Sequence, residues 1–162
     1  MSMSVNRETF LTFLVTAKQH TYAMQGGNAS AVSPLVPGSK QLEYQEAALL
    51  YRDIYFGGDY FVGQETVYYE STPVWAMNYA GGKLKNAEVQ VDVKTIYAFL
   101  QAALREIPRT QPYRGPAMFR QASFSYINES HGDIDRFWGW ENITYQGVAV
   151  YQLHYSGGIL QV

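Results

Sequence analysis

Two glutamates stand at the same place in two similar stretches of this chain. In Phe61-x-Gly63-x-Glu65-x-Val67-x-Tyr69 and in Phe137-x-Gly139-x-Glu141-x-Ile143-x-Tyr145, strand alternation puts each carboxylate on an otherwise apolar face. A carboxylate there costs free energy unless something partners it. Three chemistries fit: a pair that binds a cationic or hydroxyl-bearing ligand, a general acid and base, or two structural acceptors for turn N–H groups or a Tyr hydroxyl. The following strands add candidates. Trp75, Met77 and Tyr79 share one strand face, as do Tyr151, Leu153 and Tyr155, and such stripes either fill a core or line a pocket. Asn78 and His154 take alternate positions, where the histidine is a base, a ligand group or a hydrogen-bonded structural residue. Tyr51, Asp53 and Tyr55 make a polar patch on one strand face. Arg114, fixed before Gly115-Pro116, can reach an anion or one of the glutamates. Glu65, Glu141, Trp75, Tyr79, Tyr151, Tyr155, Tyr51, Asp53, Arg114 and His154 therefore form the candidate ligand-binding set.

Positioning these residues takes a repeated scaffold. Sliding the chain by 76 positions sets Phe61–Gly82 on Phe137–Gly158 without a gap, and eight of the 22 pairs are identical. Composition alone gives about one or two. At an offset of 75 Tyr51 meets Tyr126 and Gly57 meets Gly132; at 86 Thr9, Phe13, Leu14 and Ala17 meet Thr95, Phe99, Leu100 and Ala103. The chain thus reads as two copies of helix–strand–strand–strand, approximately residues 6–82 and 92–158. Phe10, Phe13, Leu14 and Ala17 recur with helical period behind Asn6 as N-cap, and Ile96, Phe99, Leu100, Ala103, Leu104 and Ile107 do so between Asp92 and Pro108. Period-two alternation predicts six strands, roughly 47–56, 60–70, 73–80, 120–130, 137–146 and 148–156. Residues 20–40, rich in Gly, Ser, Ala and Pro, read as a long mobile loop. The expected fold is a single α+β domain: a mainly antiparallel sheet, two helices on one face, and a pseudo-twofold axis with a ligand cleft between the repeats.

Composition narrows the function. The chain has 162 residues, long enough for one well-buried core, and 12 Lys and Arg against 14 Asp and Glu, with no basic stripe to meet a phosphate backbone. Nucleic acid is not an expected partner. The absence of cysteine removes thiol chemistry and thiolate metal ligation, and His20, His131 and His154 are too scattered for a local metal motif, so neither metal nor cofactor is expected. No phosphate-binding loop, nucleophile elbow or dinucleotide fingerprint is present. Met1–Glu8 and the short apolar run after it read as neither signal peptide nor membrane span, which predicts a cytoplasmic protein without a membrane partner.

Five motifs fall in order along the chain: Tyr51-Arg52-Asp53-Ile54-Tyr55-Phe56-Gly57, Phe61-Val62-Gly63-Gln64-Glu65, Pro73-Val74-Trp75-Ala76-Met77-Asn78-Tyr79-Ala80-Gly81, Arg114-Gly115-Pro116 and Tyr155-Ser156-Gly157-Gly158. On these residues, from Thr21-Tyr22-Ala23 onward, the chain resembles a bacterial domain-of-unknown-function family, DUF5680, whose closing motif usually carries His at the position of Ser156. The resemblance implies no activity and no site residues. In architecture alone, the duplicated plan is similar to effector-binding domains of multidrug-sensing regulators. The leading expectation is a module that binds an amphipathic or cationic small molecule in a cleft lined by aromatic rings and glutamates. The alternatives are a protein-interaction or homodimerisation domain with an aromatic sheet face, and a hydrolase or isomerase using Glu65 or Glu141 with His154.

Overall fold

The structure is a computed structural model that describes residues 6–21, 31–85 and 88–161. Helix α1 (Arg7–His20) starts where the Asn6 side chain accepts the N–H groups of Glu8 at 2.8 Å and Thr9 at 3.4 Å. Its stripe of Phe10, Phe13, Leu14 and Ala17 is buried, and Lys18 is buried with it. Helix α2 (Val93–Arg105) starts in the same way at Asp92, which accepts from Lys94 and Thr95. It buries Ile96, Phe99, Leu100, Ala103 and Leu104, and ends at Glu106, two residues before Pro108. Each of these large apolar side chains contributes about 1.5–3 kcal/mol by leaving water.

The strands are β1 (Lys40–Glu46), β2 (Leu49–Gly57), β3 (Tyr60–Tyr69), β4 (Thr72–Lys83), β5 (Met118–Gln121), β6 (Phe124–Asp133), β7 (Arg136–Tyr145) and β8 (Val148–Ile159). They form one open antiparallel sheet in the order β1-β2-β3-β4-β8-β7-β6-β5. The fold is α+β. The six expected strands are present within a few residues of their predicted bounds, and two short strands, β1 and β5, extend the sheet at its edges. Both helices lie on the same face: Phe10 meets Trp75 edge-on at 6.4 Å, and Tyr97 meets Tyr151 at 6.1 Å. Register places Tyr79 opposite Tyr155 where β4 and β8 join, so the odd-numbered residues of both strands face the helices. Among the described residues the opposite face has no helix on it. Residues 22–30 of the expected loop lie outside the described residues; from Ala31 the chain runs beside β1, where the Val32 N–H donates to the Gln41 carbonyl at 3.1 Å. No helix among the described residues is long and apolar enough to cross a membrane.

Candidate functional site

Room for the site is made by two glycines. Gly63 lies directly across from Tyr79 and Gly139 across from Tyr155, and a Cβ at either position would collide with the tyrosine's hydroxyl. Each ring therefore lies over the neighbouring strand and carries its hydroxyl one strand further. Tyr79 donates to Asp53 Oδ1 at 2.7 Å, and Tyr155 donates to Asn128 Oδ1 at 2.8 Å. Burial pushes the Tyr79 hydroxyl well above its ordinary value of 10.0, with Asp53 adding to the effect, so it stays a donor.

Around these rings lies a cluster of buried charges. Glu141, fully buried, accepts from Arg114 through Nε at 3.1 Å and Nη2 at 2.5 Å. It also accepts the hydroxyls of Tyr126 at 2.6 Å and Tyr151 at 2.7 Å. Both hydroxyls are raised well above 10.0, first by desolvation and then by the Glu141 charge. Glu65, equally buried, has Lys18 Nζ at 2.5 Å from Oε2; the same ammonium donates to the Tyr113 carbonyl at 2.6 Å and sits 5.5 Å from the Trp75 ring. Desolvation lowers the Lys18 pKa, and Glu65 opposes that shift. Glu65 Oε1 and Trp75 Nε1 are buried without a hydrogen-bond partner among the described residues.

Two cations and three carboxyls make up this cluster, so one negative charge is in excess. It belongs to Asp53. Glu65 has Lys18 and Glu141 has Arg114, while among the described residues no Lys or Arg forms an ion pair with Asp53. Only 2% of Asp53 is exposed, and desolvation followed by the Glu65 charge pushes its carboxyl up to about 7.

Asp53 also faces open space. A cavity of about 350 Å³ lies between α2 and the inner surface of β2–β4. Asp53, Tyr79 and Arg114 are among its polar lining groups; Phe61, Val93, Tyr97, Leu100 and Leu104 form its apolar wall; Lys40, Tyr55, Asp59 and Gln101 also reach it. That volume is at the small end of the range for ligand pockets. The arrangement can hold a hydrogen-bond donor or an ammonium against a carboxyl that is half-ionised near neutral pH, with rings around its apolar part.

The ten candidate residues thus divide. Asp53, Tyr79 and Arg114 come together at the cavity. Glu65, Glu141 and Tyr151 are buried beneath it in paired positions, and the glutamates are not a carboxylate pair, each being held by its own cation. Trp75 is core, stacked on Phe137 at 5.9 Å; Tyr51 is fully buried; Tyr155 serves Asn128. His154 is exposed on the face without helices, so the sheet separates it from both glutamates. Ser156 lies on that face too and donates to Asn78 Oδ1 at 2.9 Å. Sequence reasoning missed Lys18, Tyr97, Tyr113 and Asn128. A signal for Lys18 existed: it follows Phe10 and Leu14 at helical spacing, and at the offset of 86 it takes the place of Leu104. Among the described residues no three His, Asp or Glu side chains are grouped to hold a metal ion.

No curated protein and no solved structure matches the chain. Residues 53–160 match the family described as Domain of unknown function (DUF5680). That span runs from Asp53, at the cavity, through the whole of α2 and β3–β8, two thirds of the sequence. The chain belongs to the DUF5680 family.

Proposed function

We propose that this protein is a small-molecule-binding module whose cavity takes an amphipathic or cationic ligand, with Asp53 as the charged contact. The observation that carries the reading is the excess carboxyl: of the three buried acids, Asp53 is the one that lines the cavity and, among the described residues, forms no ion pair with a Lys or Arg. A protein gains no stability from an uncompensated carboxyl in the interior, and a binding site is where such a group has a use. Native mass spectrometry of the purified protein tests this. A bound small molecule that is lost in Asp53→Asn supports it; a molecule retained unchanged in that variant rejects Asp53 as the contact.

The reading includes a duplicated architecture, now of one helix and four strands per unit. Register supports it. Tyr79 and Tyr155, which correspond at the offset of 76, pair with each other, so the β4–β8 ladder maps onto itself when the units are exchanged. The Tyr51–Val67 pair corresponds to Tyr126–Ile143, and the irregularity after Val67 recurs after Ile143.

A second reading, homodimerisation, is favoured by the uncovered sheet face, where Phe56, Val62, Ile127 and Trp138 are exposed. A dimer in the same mass spectra, dissociated by Trp138→Lys, distinguishes it.

A further inference from the structure

The two halves treat one place differently. In the second half the ring of Tyr113 lies flat on Phe137, with centroids 3.7 Å apart and planes 6° apart, and Tyr113 is only 2% exposed. The position that corresponds to Phe137 in the first half is Phe61, which lines the cavity. Among the described residues no ring stacks on Phe61 in that manner: Tyr79 and Tyr97 both meet it edge-on, at 70° and 79°. The reason lies in the sequence. At the offset of 75 that aligns β1 with β5, Pro37 meets Pro112 and Gly38 meets Tyr113. Gly38 thus carries no side chain where the second half supplies a ring, and a Cβ there would meet no atom within 4 Å.

From this contrast we infer that the cavity binds a planar aromatic ring stacked on Phe61, in the place that Tyr113 fills on Phe137, with a protonated amine or other hydrogen-bond donor of the same ligand directed to Asp53. The inference rests on the binding-module reading and on the duplication. It narrows the ligand from any amphipathic or cationic molecule to an aromatic one. Other lining groups agree with it. Tyr97 is pinned by hydrogen bonds from its hydroxyl to the carbonyls of Gly58 at 3.0 Å and Asp59 at 2.8 Å, so it forms a fixed wall. Leu104, where the first half carries Lys18, puts an apolar side chain in place of a cation on the helix side of the cavity.

The test is a titration of the full-length protein with three probes, followed by amide chemical shifts around Gly57–Phe61 and along α2. Phenethylamine offers a ring and an ammonium, 2-cyclohexylethylamine the ammonium without a π-face, and p-cresol the tyrosine ring without the charge. The expected result is that phenethylamine binds roughly three- to tenfold more tightly than 2-cyclohexylethylamine, and that Phe61→Leu removes the difference. Equal affinity for the two amines overturns the aromatic inference and leaves the binding-module reading standing. Binding of p-cresol with neither amine bound keeps the stacking and removes Asp53 as a cation site. If none of the three shifts these amides, both readings fall. A second arm does not depend on Phe61. Tyr113→Gly vacates the ring's place on Phe137, and p-cresol is expected to raise the melting temperature of that variant more than that of the wild type; Tyr113→Ala serves if the glycine variant does not fold. An equal rise in variant and wild type overturns the idea that Tyr113 fills a ring-shaped place.

Discussion

The most exposed claim is the state of Asp53, because one substitution isolates it. Asp53→Asn removes the charge at nearly constant shape, and Asn is what the second half carries at Asn128, where it accepts the Tyr155 hydroxyl at 2.8 Å. Tyr79 therefore keeps an acceptor. In the wild type the carboxyl is raised from 3.8 to about 7 by burial and by Glu65. Below pH 3.8 both folded and unfolded chains hold the proton. Between 3.8 and about 7 only the folded chain holds it, so stability falls as pH rises; above about 7 the proton is lost from both and the loss is complete. About three units at 1.36 kcal/mol each make the full loss roughly 4 kcal/mol, of which more than half falls between pH 5 and pH 8. Urea unfolding of wild type and variant at both pH values reads this, since titrating groups that do not interact with Asp53 cancel in the difference. The variant is expected to gain on the wild type by about 2–3 kcal/mol on going from pH 5 to pH 8. The same stability difference at both pH values would refute the assignment of Asp53 as the uncompensated acid.

The paired glutamates are expected to behave in the opposite way. Glu141→Gln removes the carboxylate that Arg114 grips through two N–H groups, and Glu65→Gln the one that Lys18 pairs with; each is expected to cost about 3–5 kcal/mol in chemical denaturation. Lys18→Met together with Glu65→Gln is expected to recover much of that loss, because the pair is then replaced by neutral groups. Gly63→Ala drives a methyl into the Tyr79 hydroxyl and is expected to cost about 1–3 kcal/mol, with a lowered melting temperature as the readout. His154→Ala, on the exposed face, is expected to change stability by less than about 0.5 kcal/mol and to leave amine binding unchanged. Affinity for phenethylamine is expected to rise from pH 6 to pH 8 as Asp53 ionises, and a calorimetric titration showing a flat profile contradicts that coupling.

Much of the fold was legible because its signals are strong and local. Asn6 and Asp92 cap the two helices as expected, and the apolar stripes behind them are the buried faces. The six long strands announce themselves by alternation over nine to twelve residues. The edge strands do not. β1, Lys40-Gln41-Leu42-Glu43-Tyr44-Gln45-Glu46, lies at the sheet's edge and is polar at five of seven positions, and β5 has only four residues. In the site, alternation put Glu65 and Glu141 on the apolar face, which is the side the helices cover, since it needs only the strand period; it left Asp53 in a polar patch whose side it did not assign. Which carboxyl would face open space was not readable. That depends on which cation reaches which acid, and Lys18 and Arg114 arrive from a helix and a loop far away in sequence. The cavity was not readable either, because its walls come from β2–β4 and from α2, which the sequence does not bring together.

The strand order has a consequence for how the chain folds. Every ladder but one joins strands linked by a short turn; only β4 with β8 brings together residues as far apart as Tyr79 and Tyr155. Loop closure over such a span is slow to be rewarded, whereas the hairpins on either side close locally. Each four-strand meander with its helix is therefore expected to condense first, and docking of β4 against β8 to be the late, rate-limiting event. The ammonium of Lys18, reaching from the first helix to the Tyr113 carbonyl, can be sheltered only after that docking. Two polypeptides cut between β4 and α2 should then find one another and refold at a rate set by their concentration, as the subunits of a dimer do.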